Sequence, residues 1–332
     1  TLVKTGPSRD PVATPDTLPA LAETRTPDSQ AIESLQLLPT IHWDKAFYDH
    51  WTPGENGAWR AIEDFCDSRL IDYGSDRDIP EKTGTSRLSA HLHFGEISPL
   101  QLWHYLSRLA ASETSPGTVS AVETWLRQLG WREFSQHQLF HFPHTTLQPL
   151  DTRFEHFPWR TDNGATLASW QRGQTGIPIV DAGMRELWET GYMHNRVRMI
   201  VASLLTKNLL IPWQEGARWF WNTLVDADLA NNTMGWQWTA GSGADAAPFF
   251  RIFNPVLQGE RFDKAGRYVR RWVPELARLE NKYIHQPWSA DPEILADAGI
   301  RLGEEYPAPI VDLKASRTQA LVAWDRVKRQ SA

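Results

Sequence analysis

One cysteine, Cys66, stands in a chain of 332 residues. No intrachain disulfide can form, so the fold must rest on packing and hydrogen bonds, and a reducing, cytoplasmic setting is expected. The start of the chain lacks a basic segment followed by an apolar run, so no signal peptide is visible. Long apolar runs are missing as well. The longest, around Met199 to Ile211, is interrupted by Lys207 and Asn208 and falls short of a bilayer span. A soluble protein without membrane contact is the expectation. Runs of strict apolar and polar alternation are few, which argues against sheet structure.

Positive charge is not in excess. The 40 acidic residues outnumber the 34 basic ones, for a net charge of -6, which speaks against a protein that coats DNA indiscriminately. Local clusters can still hold phosphate, and the densest basic region holds Arg251, Arg261, Lys264, Arg267, Arg270 and Arg271. Such a run is more often a solvated face. Thiolate pairs and a His-Glu-x-x-His motif are also absent. The one spacing that suggests a metal, His137, His141 and His144, is undercut by Pro143, which ends the helix before the third histidine. No metal site is assigned.

What the chain does have is tryptophan, 17 of them. Large π-faces fill cores, but they also stack on bases and on flavin-like rings. Hydrophobic residues at 41% and charged residues at 22% are ordinary for a folded protein. Residues 1–40 carry Pro7, Pro11, Pro15, Pro19 and Pro27 among small polar residues and read as an interdomain linker, which suggests a domain before it. Residues 41–332 read as one all-α body. Helix starts are expected at Ser98-Pro99-Leu100-Gln101, a capping box with proline in the first turn, at Asp181, and after Asp312.

Four segments carry groups suited to chemistry. On a helix from about Trp125 to Phe142, Gln128, Trp131, Arg132 and Ser135 share a face, while Val122, Leu126 and Leu129 supply core. On a second, from about His194 to Leu210, Asn195, Arg198, Met199 and Ala202 form one stripe; Arg198 needs a carboxylate, for which the Asp226-Ala227-Asp228 segment is the candidate. Such an ion pair can be purely structural. Gly84-Thr85-Ser86-Arg87-Leu88-Ser89 offers N–H groups and hydroxyls for a phosphate, although the same residues cap helices. It lacks the spacing of a dinucleotide-binding fingerprint. The fourth segment, Asn231 to Trp238, sets two tryptophans beside amides and a glycine, and leads into Ala246 to Arg251.

Together these segments resemble the flavin-binding domain of the photolyase and cryptochrome family, from about Leu38 to the C-terminus. The likeness is carried by Gly84 to Ser89, Trp131-Arg132-Glu133-Phe134, Gly176-Ile177-Pro178-Ile179-Val180-Asp181, Met193 to Met199, Trp236-Gln237-Trp238, and Phe250-Arg251-Ile252-Phe253-Asn254-Pro255. It implies a multi-helix domain in two lobes holding FAD, without the α/β antenna domain that precedes it in the family. No antenna pigment is assignable. By position, Tyr73, Thr85, Ser86, Leu88 and Ser89 would hold the phosphates and adjoining parts of FAD, with Trp125 and Arg132 nearby. Asn195, Arg198, Asp226, Asp228 and Asn232 would surround the isoalloxazine.

The reaction that the resemblance implies is the light-driven splitting of cyclobutane pyrimidine dimers in damaged DNA. Fully reduced FAD donates an electron to a flipped-out dimer and recovers it. Trp131 and Trp238 would sandwich the dimer, with Asn195, Met199 and Gln128 at its edges and Arg77, Arg196 and Arg251 near phosphates. Trp236, Trp213 and Trp159 match the family's electron relay. A monomer is expected. Asn232, where plant cryptochromes tend to carry an acid, favours repair; Gln128, usually Glu in dimer-repairing enzymes, favours a cryptochrome-like light receptor. A (6-4) photolyase is the third reading, disfavoured because that group places His at the positions of Asn195 and Met199.

Overall fold

A computed structural model describes residues 6–17, 29–112, 115–161, 163–246 and 251–330. Part of the proline-rich stretch and the segment 247–250, which follows the fourth motif, lie outside them. Among the described residues the architecture is all-α, with a single bridge between Leu302 and Tyr306 in place of any sheet. No helix of the described residues is long and apolar enough to cross a membrane.

Two cores divide the helices. The smaller joins α1 (Glu55–Ser68), α2 (Tyr73–Asp76), α4 (Pro99–Ser112) and the first half of α5 (Pro116–His141) through Ile62, Phe65, Leu102, Leu106, Val122, Leu126 and Leu129. Between α2 and α4 lies the short α3 (Ser89–Phe94). The larger core gathers α6 (Gly164–Gln171), α7 (Pro178–Thr190), α8 (Asn195–Ser203), α9 (Trp213–Thr223), α10 (Leu229–Ala240) and α12 (Arg267–Trp272). Trp170 and Trp213 are fully buried there. Three more helices, α11 (Pro255–Phe262), α13 (Pro292–Asp297) and α14 (Leu313–Gln330), complete the body.

Local chemistry explains several of these boundaries. At α4 the Ser98 N–H donates to Gln101 Oε1 at 2.8 Å and the Gln101 N–H to Ser98 Oγ at 3.1 Å, the reciprocal bonds of a capping box. At α14 Asp312 accepts from the Ala315 N–H at 2.7 Å. The expectation at Asp181 is corrected: α7 begins earlier, at Pro178, whose fixed φ suits a first turn. Asp181 instead sits buried in that turn and points back, accepting from Thr175 N (2.7 Å), Gly176 N (3.0 Å) and Tyr306 Oη (2.6 Å). Burial pushes its carboxyl above the ordinary range, against the Thr175 and Tyr306 hydrogen bonds.

Two further boundaries move. Helix α5 starts at Pro116, not near Trp125, because Pro116 follows an extended Ser115 and supplies its own start. Helix α8 stops at Ser203 and continues as a π turn over Leu204–Asn208. There Lys207 is buried and donates to the Ala240 carbonyl at 2.5 Å, and Asn208 donates to Ser316 Oγ at 2.8 Å. In the proline-rich stretch, residues 6–17 form no helix; Gly6 lies against Trp103, and the Arg9 carbonyl meets His104 Nε2 at 3.2 Å.

Candidate functional site

Between the two cores opens a cavity of about 780 Å³. Its first wall is α5, which contributes Trp125, Gln128, Trp131 and Arg132. Trp125 is buried and its indole N–H donates to Ser86 Oγ at 3.3 Å. Trp131, 47% exposed, stands at the rim with its ring edge-on to Phe134 at 5.9 Å. Gln128 is half-buried beside Arg77. Ser135, expected on the same face, does not line the cavity; its hydroxyl lies 2.7 Å from the Arg132 carbonyl and 3.0 Å from Oδ1 of Asn231, which does.

The second wall is the turn that carries Thr85, Ser86, Leu88 and Ser89, with Tyr73 and Arg77 from α2 and its end. Gly84 is required there, because a Cβ would meet the Asp76 carbonyl oxygen at 2.7 Å. Arg87 holds a left-handed φ of 54°. Its guanidinium packs against the rings of both Tyr192 (4.4 Å) and Trp51 (4.9 Å), which meet each other edge-on at 6.1 Å.

The third wall is the α8 stripe: Asn195, Arg198, Met199 and Ala202 all line the cavity. Arg198 Nη2 donates to Asp226 Oδ2 at 2.9 Å and its Nε to the Met193 carbonyl at 2.7 Å. Burial opposes the Arg198 charge, but the Asp226 carboxylate beside it outweighs burial, so the guanidinium is held above its usual range. Arg196 also lines the cavity, yet its charge is shared with Asp78 at 2.9 Å and its face lies on Phe262 at 4.4 Å.

The base comes from α10 and the residues before it. Asp228 is the N-cap of α10, accepting from the Asn231 N–H at 2.8 Å and from Gln136 Nε2 at 3.0 Å. Asn232 Nδ2 donates to the Ala217 carbonyl at 2.9 Å. Trp236 is 2% exposed, packed edge-on to Phe220 at 5.0 Å and to Trp170 at 6.1 Å. Trp238, at the rim, donates its indole N–H to the Asp245 carbonyl at 3.1 Å.

Of the residues singled out in the sequence, Trp213, Trp159 and Arg251 do not line the cavity. Trp213 is buried in the larger core at the start of α9. Trp159 is partly buried beside Phe157, ring centres 4.3 Å apart. Arg251 is exposed. Sequence reasoning missed Tyr192, Asp245 and the Arg87 side chain. Arg87 lies inside the Gly84 to Ser89 motif, but nothing in the pattern reveals its two aromatic neighbours.

The cavity suits FAD on its own terms. It is elongated in its chemistry, with hydroxyls and N–H groups at one wall and a guanidinium–carboxylate pair at another. Four buried polar atoms of its lining residues, Arg87 Nε, Arg196 Nε, Asp226 Oδ1 and Trp236 Nε1, have no hydrogen-bond partner among the described residues. Buried polar groups call for one. Among the described residues no cluster of His, Cys, Asp and Glu could hold a metal ion.

Residues 125–326 match the model of the FAD-binding domain of DNA photolyase. The chain belongs to that family. A deoxyribodipyrimidine photo-lyase of Agrobacterium fabrum is 52% identical over 304 residues, which cover 91% of this chain and 62% of that protein. Cryptochrome-1 of Arabidopsis thaliana is 42% identical over 272 residues, 81% of this chain and 40% of the cryptochrome. Among solved structures, a bacterial class III photolyase from Agrobacterium tumefaciens superimposes with a TM-score of 0.87 at 52% identity, covering 91% of this chain and 62% of the photolyase chain. This member of the photolyase family therefore spans less than two thirds of the length of these relatives.

Proposed function

We propose that the chain binds FAD in this cavity and splits cyclobutane pyrimidine dimers in damaged DNA by light-driven electron transfer. The observation that carries the reading is a pair of tryptophans, Trp131 and Trp238, on the lining of a cavity that also holds Arg198, Asp226, Asn232 and Trp236. Two indole faces suit two joined pyrimidine rings. A damaged pair is also less costly to flip out of a duplex than an intact one.

Fully reduced FAD, when bound, supplies the photochemical electron. The chain's own groups orient and exclude. Tyr73, Thr85, Ser86, Leu88 and Ser89, with Trp125 and Arg132, would hold the phosphates and adjoining parts; Asn195, Arg198, Asp226, Asp228 and Asn232 would surround the ring. Asn232 commits one amide N–H to the Ala217 carbonyl, which orients the amide and leaves its oxygen and second N–H for the ring. A carboxylate at that position would disfavour a neighbouring reduced anion through like-charge repulsion. Asn195, Met199 and Gln128 meet the dimer edge, and Arg77, Arg196 and Arg251 meet phosphates. Trp159, Trp213 and Trp236 would form the path by which electrons reach the cofactor. The protein acts as a monomer.

A second reading, a cryptochrome-like receptor with little repair, draws on Gln128 and on the likeness to the Arabidopsis cryptochrome. A (6-4) photolyase is disfavoured by Asn195 and Met199. The deciding experiment illuminates the reduced protein with dimer-containing DNA and measures restored pyrimidines. Repair is expected. Retained FAD without repair would turn the assignment to the receptor, and a protein that takes up no FAD would sink both.

A further inference from the structure

Trp238 stands on the last turn of α10, which ends at Ala240. Helix ends fray unless their surroundings hold them. Between the two tryptophans of that turn lies Gln237, buried and outside the cavity lining. Successive side chains of a helix diverge by about 100°, so Trp236 meets the cavity base, Gln237 turns away from the cavity, and Trp238 reaches the rim.

The Gln237 amide uses every hydrogen-bonding position it has. Its Oε1 accepts from the Leu150 N–H at 2.8 Å and from Ser242 Oγ at 3.2 Å, and its Nε2 donates to the carbonyls of Thr145 (2.6 Å) and Gln148 (2.9 Å). Thr145 belongs to the 3-10 turn Pro143–Thr146, which follows directly on α5, the helix that carries Trp131. The Gln237 carbonyl accepts from the N–H groups of Gly241 (2.9 Å), Ser242 (3.0 Å) and Gly243 (3.1 Å), which draws the loop after α10 back over the helix end. In that loop Asp245 holds a left-handed φ of 53°, and its carbonyl takes the Trp238 indole N–H.

Three parts of the chain thus meet at one side chain: the end of α10, the loop that grips Trp238, and the turn after α5. Closer to its start α10 is tied to α5 by Gln136 on Asp228 (3.0 Å) and by Ser135 beside Asn231 (3.0 Å). Among the described residues Gln237 is the side chain of the last turn that bonds to the segment after α5. An apolar side chain of the same length would fill the space, but its contacts are non-directional, whereas hydrogen bonds fix an orientation.

We propose that Gln237 is a positioning residue that sets the gap between the Trp131 and Trp238 indoles, and with it the preference of the cavity for two joined pyrimidine rings over intact DNA. This role rests on the dimer reading above. Gln237 acts through Trp238 and touches neither cofactor nor lesion.

The test titrates FAD-loaded protein with two labelled duplexes of one sequence, one holding a dimer and one undamaged, with competent molecules counted from bound FAD. Gln237→Met keeps the length of the side chain and removes its hydrogen bonds. Its affinity for the dimer duplex should fall about tenfold, a part of what stacking on two indoles supplies, while affinity for the undamaged duplex stays. Ser242→Ala removes one bond to the amide and spares the backbone bonds of the loop, so its dimer preference should fall about twofold. In protein labelled with 5-fluorotryptophan, the Trp238 fluorine resonance, assigned from Trp238→Phe, should shift or broaden in Gln237→Met before any DNA is added. A merely structural role would lower the denaturant midpoint and the yield of FAD-loaded protein, yet leave the dimer preference per loaded molecule and the Trp238 resonance unchanged; that result, or equal weakening on both duplexes, overturns the proposal. Should Gln237→Met fail to fold, Ser242→Ala decides alone, and a wild-type dimer preference in it is the overturning result. If the wild-type protein does not prefer the dimer duplex, the dimer reading itself fails, and the positioning role with it.

Discussion

Arg77 meets Gln128 on the lining of the cavity, Nη2 donating to Oε1 at 3.3 Å, while Gln128 Nε2 donates to the Thr124 carbonyl at 3.3 Å. The amide is held from both ends, with its acceptor on a cation. In Gln128→Glu that contact, already charge-assisted by the guanidinium, becomes an ion pair, a gain of about 1 kcal/mol at a half-buried position. The natural chain should repair dimers measurably, and Gln128→Glu should raise the quantum yield. Repeating the substitution in an Arg77→Ala background should shrink the gain. Equal yields at all four corners of the cycle would remove Gln128 from the lesion site.

The Arg198–Asp226 pair sets a second expectation. Asp226 is 4% exposed at its side chain and Arg198 24%. Asp226→Asn leaves a largely buried guanidinium without its carboxylate, a change that costs on the order of 3 kcal/mol. Denaturant midpoints should fall accordingly, and the FAD content of the purified variant should fall with them. A variant with wild-type midpoint and FAD content would show the pair to be dispensable.

The all-α body, the α4 cap, the α8 stripe and the Arg198–Asp226 partnership were legible because each rests on local spacing or on a charge that must be neutralised. Asp181 misled because an acid near a helix start reads as a cap, whereas its partners Thr175 and Tyr306 become neighbours only in the folded chain. The tryptophan excess has several causes. Trp170 and Trp213 fill the core, Trp43, Trp188 and Trp219 stack on one another with ring centres 5.2 and 5.9 Å apart, and only some indoles reach the cavity. The packing of Arg87 against Trp51 and Tyr192 joins three distant positions and leaves no periodic trace.

His194 predicts a pH dependence. Burial pushes its imidazole down to about 4, and its Nδ1 accepts from the Arg196 N–H at 3.2 Å, capping α8. The unfolded chain binds the proton more readily than the folded one. Stability from this group is therefore complete above pH of about 6.5 and is lost as pH falls towards about 4, with a slope approaching 1.4 kcal/mol per pH unit. His194→Asn keeps a capping acceptor and removes the titration. The difference in unfolding free energy between wild type and variant, measured across that window, should narrow on acidification; a constant difference would show that His194 is not the titrating group.

Trp236 and Gly216 supply the last expectation. Trp236 lies against α9 so closely that a Cβ on Gly216 would overlap the indole ring. Gly216→Ala must therefore displace the ring or the helix, and overpacking of this kind costs about 1 to 3 kcal/mol. If Trp236 is the relay member beside the cofactor, Trp236→Phe should abolish photoreduction of oxidised FAD while sparing repair by chemically reduced protein. Gly216→Ala should slow photoreduction without abolishing it, because the indole is still present but displaced. The two variants thus separate loss of the donor from loss of its position, and flash photolysis reads both. Unchanged photoreduction in Trp236→Phe would mean that electrons enter by another path, and the Gly216→Ala effect would then be one of stability alone.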